Sequence, residues 1–294
     1  QTVGSWNNIA PGHSGALQQS TDANRPVFGS HTMNNLPVLY FDGSNDAMSS
    51  TNIIANSGTT ASFFAVVRRT ANPTGYRRIA SFTGPSGNDW GSVGNWTVNN
   101  GDNGTTNRVE RNGANNLGTL PDANTAYVVE VIFDGSTCKS YINGSLYGQF
   151  NSTGNFAINM MSVGTGIVNG ALTSENFQGD IAEILVYNSA LGDTDRQTIE
   201  SYLTQKWIES APQPPVSGAA VWVDASATGS VLNGSSTQAS TGQTVGAWNN
   251  IAPGHDGALL QSTDANRPIF GSHTLNSLPV LYFDGSNDAM SSTN

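Results

Sequence analysis

Residues 127–144 read YVVEVIFDGSTCKSYING, and this stretch decides the fold. Its first half, residues 127–133, is rich in β-branched and aromatic side chains and stops at Asp134-Gly135. Its second half, residues 138–142, stops at Asn143-Gly144. Asp-Gly and Asn-Gly tolerate the positive φ that tight hairpin turns require, so the pattern predicts antiparallel strands joined by short turns. Other short apolar runs lie at residues 61–67, 77–83, 160–164 and 180–187, with Gly- and Asn-rich segments between them. Many short strands separated by turn chemistry predict an all-β, two-sheet antiparallel sandwich or jelly roll.

One segment breaks the pattern. Residues 193–207 read DTDRQTIESYLTQKW, without Gly or Pro, and Ile199, Tyr202, Leu203 and Trp207 fall on one helical stripe. Asp193 and Asp195 suit the positive end of a helix dipole, and Lys206 suits the negative end. A C-terminal amphipathic helix packed on the sandwich is expected in each unit.

Composition narrows the function classes. The chain has 294 residues, formal charge −10 from 11 basic and 21 acidic residues, 33 glycines and one cysteine. Only 11% of residues are charged, well under the usual ~25%. Lys139 and Lys206 are the only lysines, so no basic nucleic-acid footprint exists. No apolar run approaches the ~20 residues of a membrane-spanning helix. Cys138 has no partner for an internal disulfide, and its place in an alternating strand predicts a small buried apolar residue. Gln1 is not an initiator Met and no signal peptide is present, which implies a processed chain or an excerpt.

The strongest signal is a repeat. Residues 1–52 return as residues 243–294, an offset of 242, with six differences and 46 identities. A period near 242 is far too long for a solenoid unit and suits a whole domain. The Pro-dense stretch Ser210-Ala211-Pro212-Gln213-Pro214-Pro215 reads as a linker, and Ala219–Asp224 (AAVWVD) after it reads as a first strand. The expected organisation is a domain over 1–210 lacking its first strand, a linker over 211–217, and the N-terminal portion of the next repeat over 218–294. Such a chain is a window on a longer array or a subunit completed by its neighbours, and the duplicated 52 residues favour the window.

Val221-Trp222-Val223-Asp224-Ala225-Ser226, Asn266-Arg267-Pro268 (repeated from Asn24-Arg25-Pro26) and residues 278–285, LPVLYFDG, resemble the laminin-G-like, concanavalin A-like domains. Residues 179–188, GDIAEILVYN, with Leu191-Gly192-Asp193 and the helix that follows, resemble the same bacterial secreted type. The resemblance implies a jelly roll, an extracellular or cell-surface location, and adhesive or carbohydrate-binding roles that are rarely catalytic. Gly192 stands where that family more often has a serine cap.

Three chemistries compete within this frame. Glycoside hydrolysis needs two carboxylates facing one bond; Asp180 and Glu183 are three apart, which on a regular strand puts them on opposite sides, and Gln178 replaces a third acid. The reading is therefore not an enzyme. Asp42-Gly43-Ser44-Asn45-Asp46, repeated as Asp284 to Asp288, gathers oxygen ligands as calcium prefers, against a simpler Asx-type turn that the spacing favours. No other cofactor is implied. The four histidines, His13, His31, His255 and His273, are two positions seen twice and read as surface residues. For glycans, residues 84–96 (GPSGNDWGSVGNW) offer Trp90, Trp96, Asn88 and Asp89, with Tyr76 just before, although Trp96 serves equally well as a core strand residue. The leading expectation is a structural extracellular array of jelly-roll domains, a fibre, stalk or adhesin whose partners are neighbouring copies. The alternative is a lectin-like module binding glycans through avidity.

Overall fold

The computed structural model describes residues 1–294 except 52, 73, 74, 86, 93, 101–105, 210–217, 228, 253, 276, 277, 293 and 294, and omits the side chains of 106, 107 and 117. The expected linker over 211–217 lies outside the described residues. Internal contacts divide the chain into two units, Gln1–Ser210 and Ala211–Asn294.

The first unit begins with β1 (Ser5–Asn7), β2 (Ala16–Gln18), β3 (Val27–Met33), β4 (Leu36–Asp42), β5 (Met48–Ser50) and β6 (Thr60–Arg69). It continues through β7 (Arg78–Thr83), β8 (Trp96–Asn100), β9 (Thr106–Arg111), β10 (Ala114–Thr119), β11 (Tyr127–Asp134), β12 (Thr137–Ile142) and β13 (Ser145–Asn151). Then come β14 (Met160–Val163), the small hairpin β15 (Ile167–Val168) and β16 (Ala171–Leu172), β17 (Gln178–Tyr187) and α1 (Asp193–Trp207). Eight strands form one sheet in the order β1-β2-β5-β14-β7-β8-β9-β10, and seven form the other in the order β13-β12-β11-β6-β17-β4-β3. The unit is a two-sheet jelly-roll sandwich, as the sequence pattern indicates.

Turn chemistry sets the hairpins. Asn143 and Gly144 both adopt positive φ, 46° and 73°, between β12 and β13. Asp134 accepts the Ser136 and Thr137 N–H groups through Oδ1, at 2.9 and 2.7 Å, closing the turn into β12. These donors, with the Thr137 hydroxyl foremost, hold its carboxyl well below the usual range.

The core follows from strand alternation. On β6, Phe63, Ala65 and Val67 face the other sheet, while Phe64 and Val66 face outward beneath α1. On β11, Val129, Val131 and Phe133 face inward and Val128 and Ile132 outward. Between the sheets Trp96 stacks on Phe82 at 3.9 Å, edge-on to Phe63 and Phe133. Cys138 is buried in this core, and burial pushes its thiol pKa up. Over the outer face Leu203 and Trp207 of α1 meet Phe64, Val66 and Val128. Tyr202, expected on the apolar stripe, is exposed, and its hydroxyl donates to Glu183 at 3.1 Å.

Among the described residues, the second unit repeats the strands β1 to β4 of the first. Its strands are β18 (Val231–Asn233), β19 (Val245–Asn249), β20 (Ala258–Leu260), β21 (Ile269–Leu275) and β22 (Leu278–Tyr282). They form a three-stranded sheet, β18-β19-β20, and the hairpin β21–β22. The irregularity between Phe28 and Thr32 in the first unit recurs between Phe270 and Thr274. Residues 219–224 form no assigned strand. They are held instead through Asn250, which accepts from the Trp222 N–H and donates to the Ala220 carbonyl.

A buried ion pair sits under α1. Arg196 Nη1 lies 2.6 Å from Glu130 Oε2, and both side chains are buried. The Gly144 N–H donates to Glu130 Oε1 at 3.0 Å. Desolvation pushes the Glu130 carboxyl pKa up, opposed by Arg196. Removing one partner of such a pair costs about 3–5 kcal/mol, because the other charge stays buried and unmatched. Arg196→Ala is therefore expected to lower the urea midpoint of the first unit by that equivalent. Adding Glu130→Gln, which keeps the acceptor for Gly144, should recover most of the loss. A deficit under 1 kcal/mol for Arg196→Ala would show that the pair is dispensable.

Candidate functional site

The outward face of the eight-stranded sheet carries a polar cluster at β7, β8 and β9. Alternation that sends Trp96 and Val98 inward sends Thr97 and Asn99 outward, and Val109 inward sends Arg108 and Glu110 outward. Arg78, at the start of β7, is the hub. Its Nη1 lies 3.2 Å from Glu110 Oε2 and hydrogen-bonds Asn99; its Nε lies 2.8 Å from Glu175 Oε2 and 3.4 Å from Asp89 Oδ2. Glu110 also accepts from Asn99 Nδ2 at 2.8 Å and from Arg108 Nη1 at 3.1 Å.

The cluster is roofed by the loop that follows β7 and by the β15–β16 hairpin. The Asp89 N–H donates to the Ile167 carbonyl at 3.1 Å, and the Asn169 N–H donates to the Gly87 carbonyl at 2.9 Å. Asp89 Oδ2 accepts from Ser81 Oγ at 2.6 Å and from the Ile167 N–H at 3.3 Å. Its other oxygen is buried without a hydrogen-bond partner. Desolvation pushes the Asp89 and Glu175 carboxyl pKa values up, with Arg78 as the main opposing charge. A Cβ on Gly166 would come within 3.0 Å of Asp89 Oδ2 and 3.1 Å of Glu175 Oε2, so the roof closes tightly there.

Two rings emerge at the margin of this cluster. Trp90 is 47% exposed and Tyr76 38%. Tyr76 accepts a hydrogen bond from Arg108 Nη1 at 3.1 Å, and the guanidinium carbons of Arg78 and Arg108 lie 5.3 and 5.4 Å from its ring centre. Trp90 follows Asp89 directly, and its carbonyl accepts the Gly113 N–H at the β9–β10 turn. Asn88 is half-buried and spends its carbonyl oxygen on the Gly91 N–H. Of the five residues expected to bind glycan, Trp90 and Tyr76 thus present open rings, and Asp89 anchors the loop from within. Trp96 is a correction: β8 alternation turns it into the core, where Phe82 occupies the face a sugar would need. Arg78, Arg108, Glu110 and Glu175 were not singled out from sequence, because isolated charges in separate segments give no spacing signal.

The aspartate turns form as hydrogen-bonded turns. Asp46 Oδ2 accepts the Asp42 N–H at 2.9 Å, and Asp42 Oδ1 accepts the Ser44 N–H at 2.8 Å. Asp288 and Asp284 repeat both bonds at the same distances. Among the described residues, no group of three or more His, Cys, Asp or Glu side chains could hold a metal ion.

The seven-stranded sheet corrects one geometric expectation. A β-bulge between Ile181 and Glu183 breaks the alternation of β17. Asp180 meets Arg68 Nη2 and His31 Nδ1, each at 2.7 Å, on the outward face. Glu183 meets Lys206 Nζ at 2.8 Å and Trp207 Nε1 at 2.7 Å on the helix that covers that same face. The two acids therefore share a side rather than opposing each other, and each is matched by cations or donors. His31 is correspondingly a hydrogen-bond partner of Asp180, while His13, His255 and His273 are exposed.

Asp46 supplies a pH test. Burial pushes its carboxyl up to about 6, with the Asp42 N–H acting the other way. An acid whose folded pKa lies above its unfolded value holds extra proton in the folded state, so its contribution to stability is lost as pH rises through the folded pKa. Asp46→Asn removes that titration and keeps the acceptor. The stability of the variant minus that of the parent should rise between about pH 4 and pH 6 and be flat above, in paired denaturation curves. A flat difference throughout would place the Asp46 titration elsewhere.

No family model matches the chain, and no curated protein matches it. Solved structures do, at low identity. The native heptameric SAP-like pentraxin from Limulus polyphemus is 15% identical, covering 55% of this chain and 80% of its own, with a TM-score of 0.44. The CBM40 of the Ruminococcus gnavus IT-sialidase, bound to α2,3 sialyllactose, is 13% identical over 49% and 83%, with a TM-score of 0.41. Domain 4 of AbnA, a GH43 extracellular arabinanase from Geobacillus stearothermophilus, in complex with arabinotriose, is 15% identical over 62% and 82%, with a TM-score of 0.42. At these similarities neither ligand nor assembly passes from them to this chain.

Proposed function

We propose that the protein is a non-catalytic carbohydrate-binding module of jelly-roll type, acting outside the cell. The observation that carries this reading is the pair of open rings, Trp90 and Tyr76, both tied to one polar cluster through Arg78 and Asp89. Sugars offer apolar C–H faces to aromatic rings, and hydroxyls that amides and carboxylates read. The cluster has two guanidiniums, Arg78 and Arg108, against three carboxylates, Asp89, Glu110 and Glu175. With its cations already matched, the site suits a neutral glycan over an anionic one.

A second reading keeps support from the repeat. The 46 identities over 52 positions and the recurrence of β1 to β4 as β19 to β22 favour an array of alike domains, with 1–210 and 218–294 as successive copies joined by 211–217. Arrays raise avidity without new contacts, so this reading and glycan binding are compatible.

A glycan array probed with the parent chain and with Trp90→Ala tests the site. Binding to neutral oligosaccharides is expected, weakened roughly tenfold by the substitution, which corresponds to about 1.4 kcal/mol. No binding to any glycan would remove the lectin reading. Binding that ignores Trp90→Ala would move the site, and preference for sialylated ligands would overturn the charge argument.

A further inference from the structure

The roof of the candidate site has an outer face of its own. Residues 87–89 pair antiparallel with residues 167–169, and Asn88 faces Val168. The Asp89 N–H donates to the Ile167 carbonyl on one side of that pair, and the Asn169 N–H to the Gly87 carbonyl on the other. Flanked in this way, Asn88 and Val168 form a non-hydrogen-bonded pair, with Cα atoms about 4.5 Å apart and side chains leaving the same face. Alternation sends the neighbouring Asp89 and Ile167 the other way, and both are fully buried. Val168 is 37% exposed, and Ala171, its partner across the β15–β16 hairpin, is exposed beside it.

Asn88 has one group to spare on that face. Its N–H donates to Ser92 Oγ and its main-chain carbonyl accepts from Asn95 Nδ2, each at 3.0 Å. Its Oδ1 accepts the Gly91 N–H, which fixes the orientation of the side-chain amide. Among the described residues its Nδ2 has no partner, and it stands beside the Val168 methyls. Trp90 emerges two positions along the chain, past the inward-facing Asp89, and two residues span at most about 7 Å. A sugar lying on the Trp90 ring is therefore within reach of a free amide donor and an isopropyl group set side by side.

We infer that the sugar unit held at Trp90 is an N-acetylhexosamine. This rests on the carbohydrate-binding reading above and names its ligand class. An acetamido group carries an oxygen acceptor and a methyl on one carbon, and the adjacent positions receive both. Its carbonyl accepts from Asn88 Nδ2, and its methyl packs on Val168 and Ala171. A hydroxyl at the same ring carbon supplies an acceptor without the methyl. A deoxy sugar's methyl supplies no acceptor, and a free amine would set a second donor against Nδ2. The acetamido group is also neutral, in keeping with the matched charges of the Arg78 cluster.

Chitotriose and cellotriose isolate that group, because they are β1,4-linked trimers of the same ring that differ only in acetamido against hydroxyl at C2. Calorimetric titration of the full chain is expected to give chitotriose a Kd lower by about tenfold or more. Asn88→Asp keeps the oxygen that holds Gly91 and replaces the free donor with an acceptor. Val168→Thr keeps the shape and strand preference and replaces one methyl with a hydroxyl. Each should bring the ratio of the two dissociation constants below about threefold, whereas Trp90→Ala should weaken both sugars in parallel. Equal or tighter binding of cellotriose by the parent chain would overturn the inference and leave the carbohydrate-binding reading standing. So would a ratio that both substitutions leave intact, or binding to other neutral glycans with chitotriose unbound. Failure to bind any glycan would remove both.

Discussion

The central strands of the seven-stranded sheet are buried on both faces, and the rest of the first unit is arranged around that constraint. β6 and β11 send one set of side chains to the sandwich interior and the other to α1, so nearly every residue along them must be apolar or fully paired. This explains why α1 is needed. Without it Phe64, Val66 and Val128 would face water. It also explains the company kept by polar residues on that face. Glu130 is matched by Arg196, Asp180 by Arg68 and His31, and Glu183 by Lys206 and the Trp207 indole. Each acid sits where alternation or the bulge of β17 turns it outward, and each meets a donor from another element.

Much of this architecture is legible from local signals. The strands around residues 61–67 and 127–142 follow from β-branched runs and Asp-Gly or Asn-Gly turns, and α1 spans residues 193–207 because no Gly or Pro interrupts its helical stripe. Strands β9 and β10 are harder to see. Their turn, Asn112-Gly113, is a plain hairpin signal with φ values of 51° and 75°. The flanking residues, TNRVER and ANNLGT, lack the apolar alternation that marks a strand. They form strands because β8 provides a ladder. The bulge in β17 leaves no mark in the residue pattern, and it reverses the expectation for Asp180 and Glu183. At the candidate site, Trp90 and Tyr76 were readable as aromatic residues in Gly-rich loops. The Arg78 network was not, because its members come from five separate segments that only the tertiary fold brings together.

The repeat separates local from tertiary causes within one molecule. Nearly identical sequences form the counterparts of β1 to β4 as β19 to β22, the same 3₁₀ turn at Asp22–Asn24 and Asp264–Asn266, and the same aspartate turns, while β5 has no counterpart strand among the described residues. Burial differs sharply: Phe41 is fully buried between the sheets of the first unit, whereas its counterpart Phe283 is 43% exposed. Backbone hydrogen bonds and turn residues act within a few positions, so they recur wherever the sequence recurs. Hydrophobic burial needs partners, and within the first unit residues 53–210 supply them to Phe41. The second copy has a different complement, because residues 218–242 cover its β19 edge.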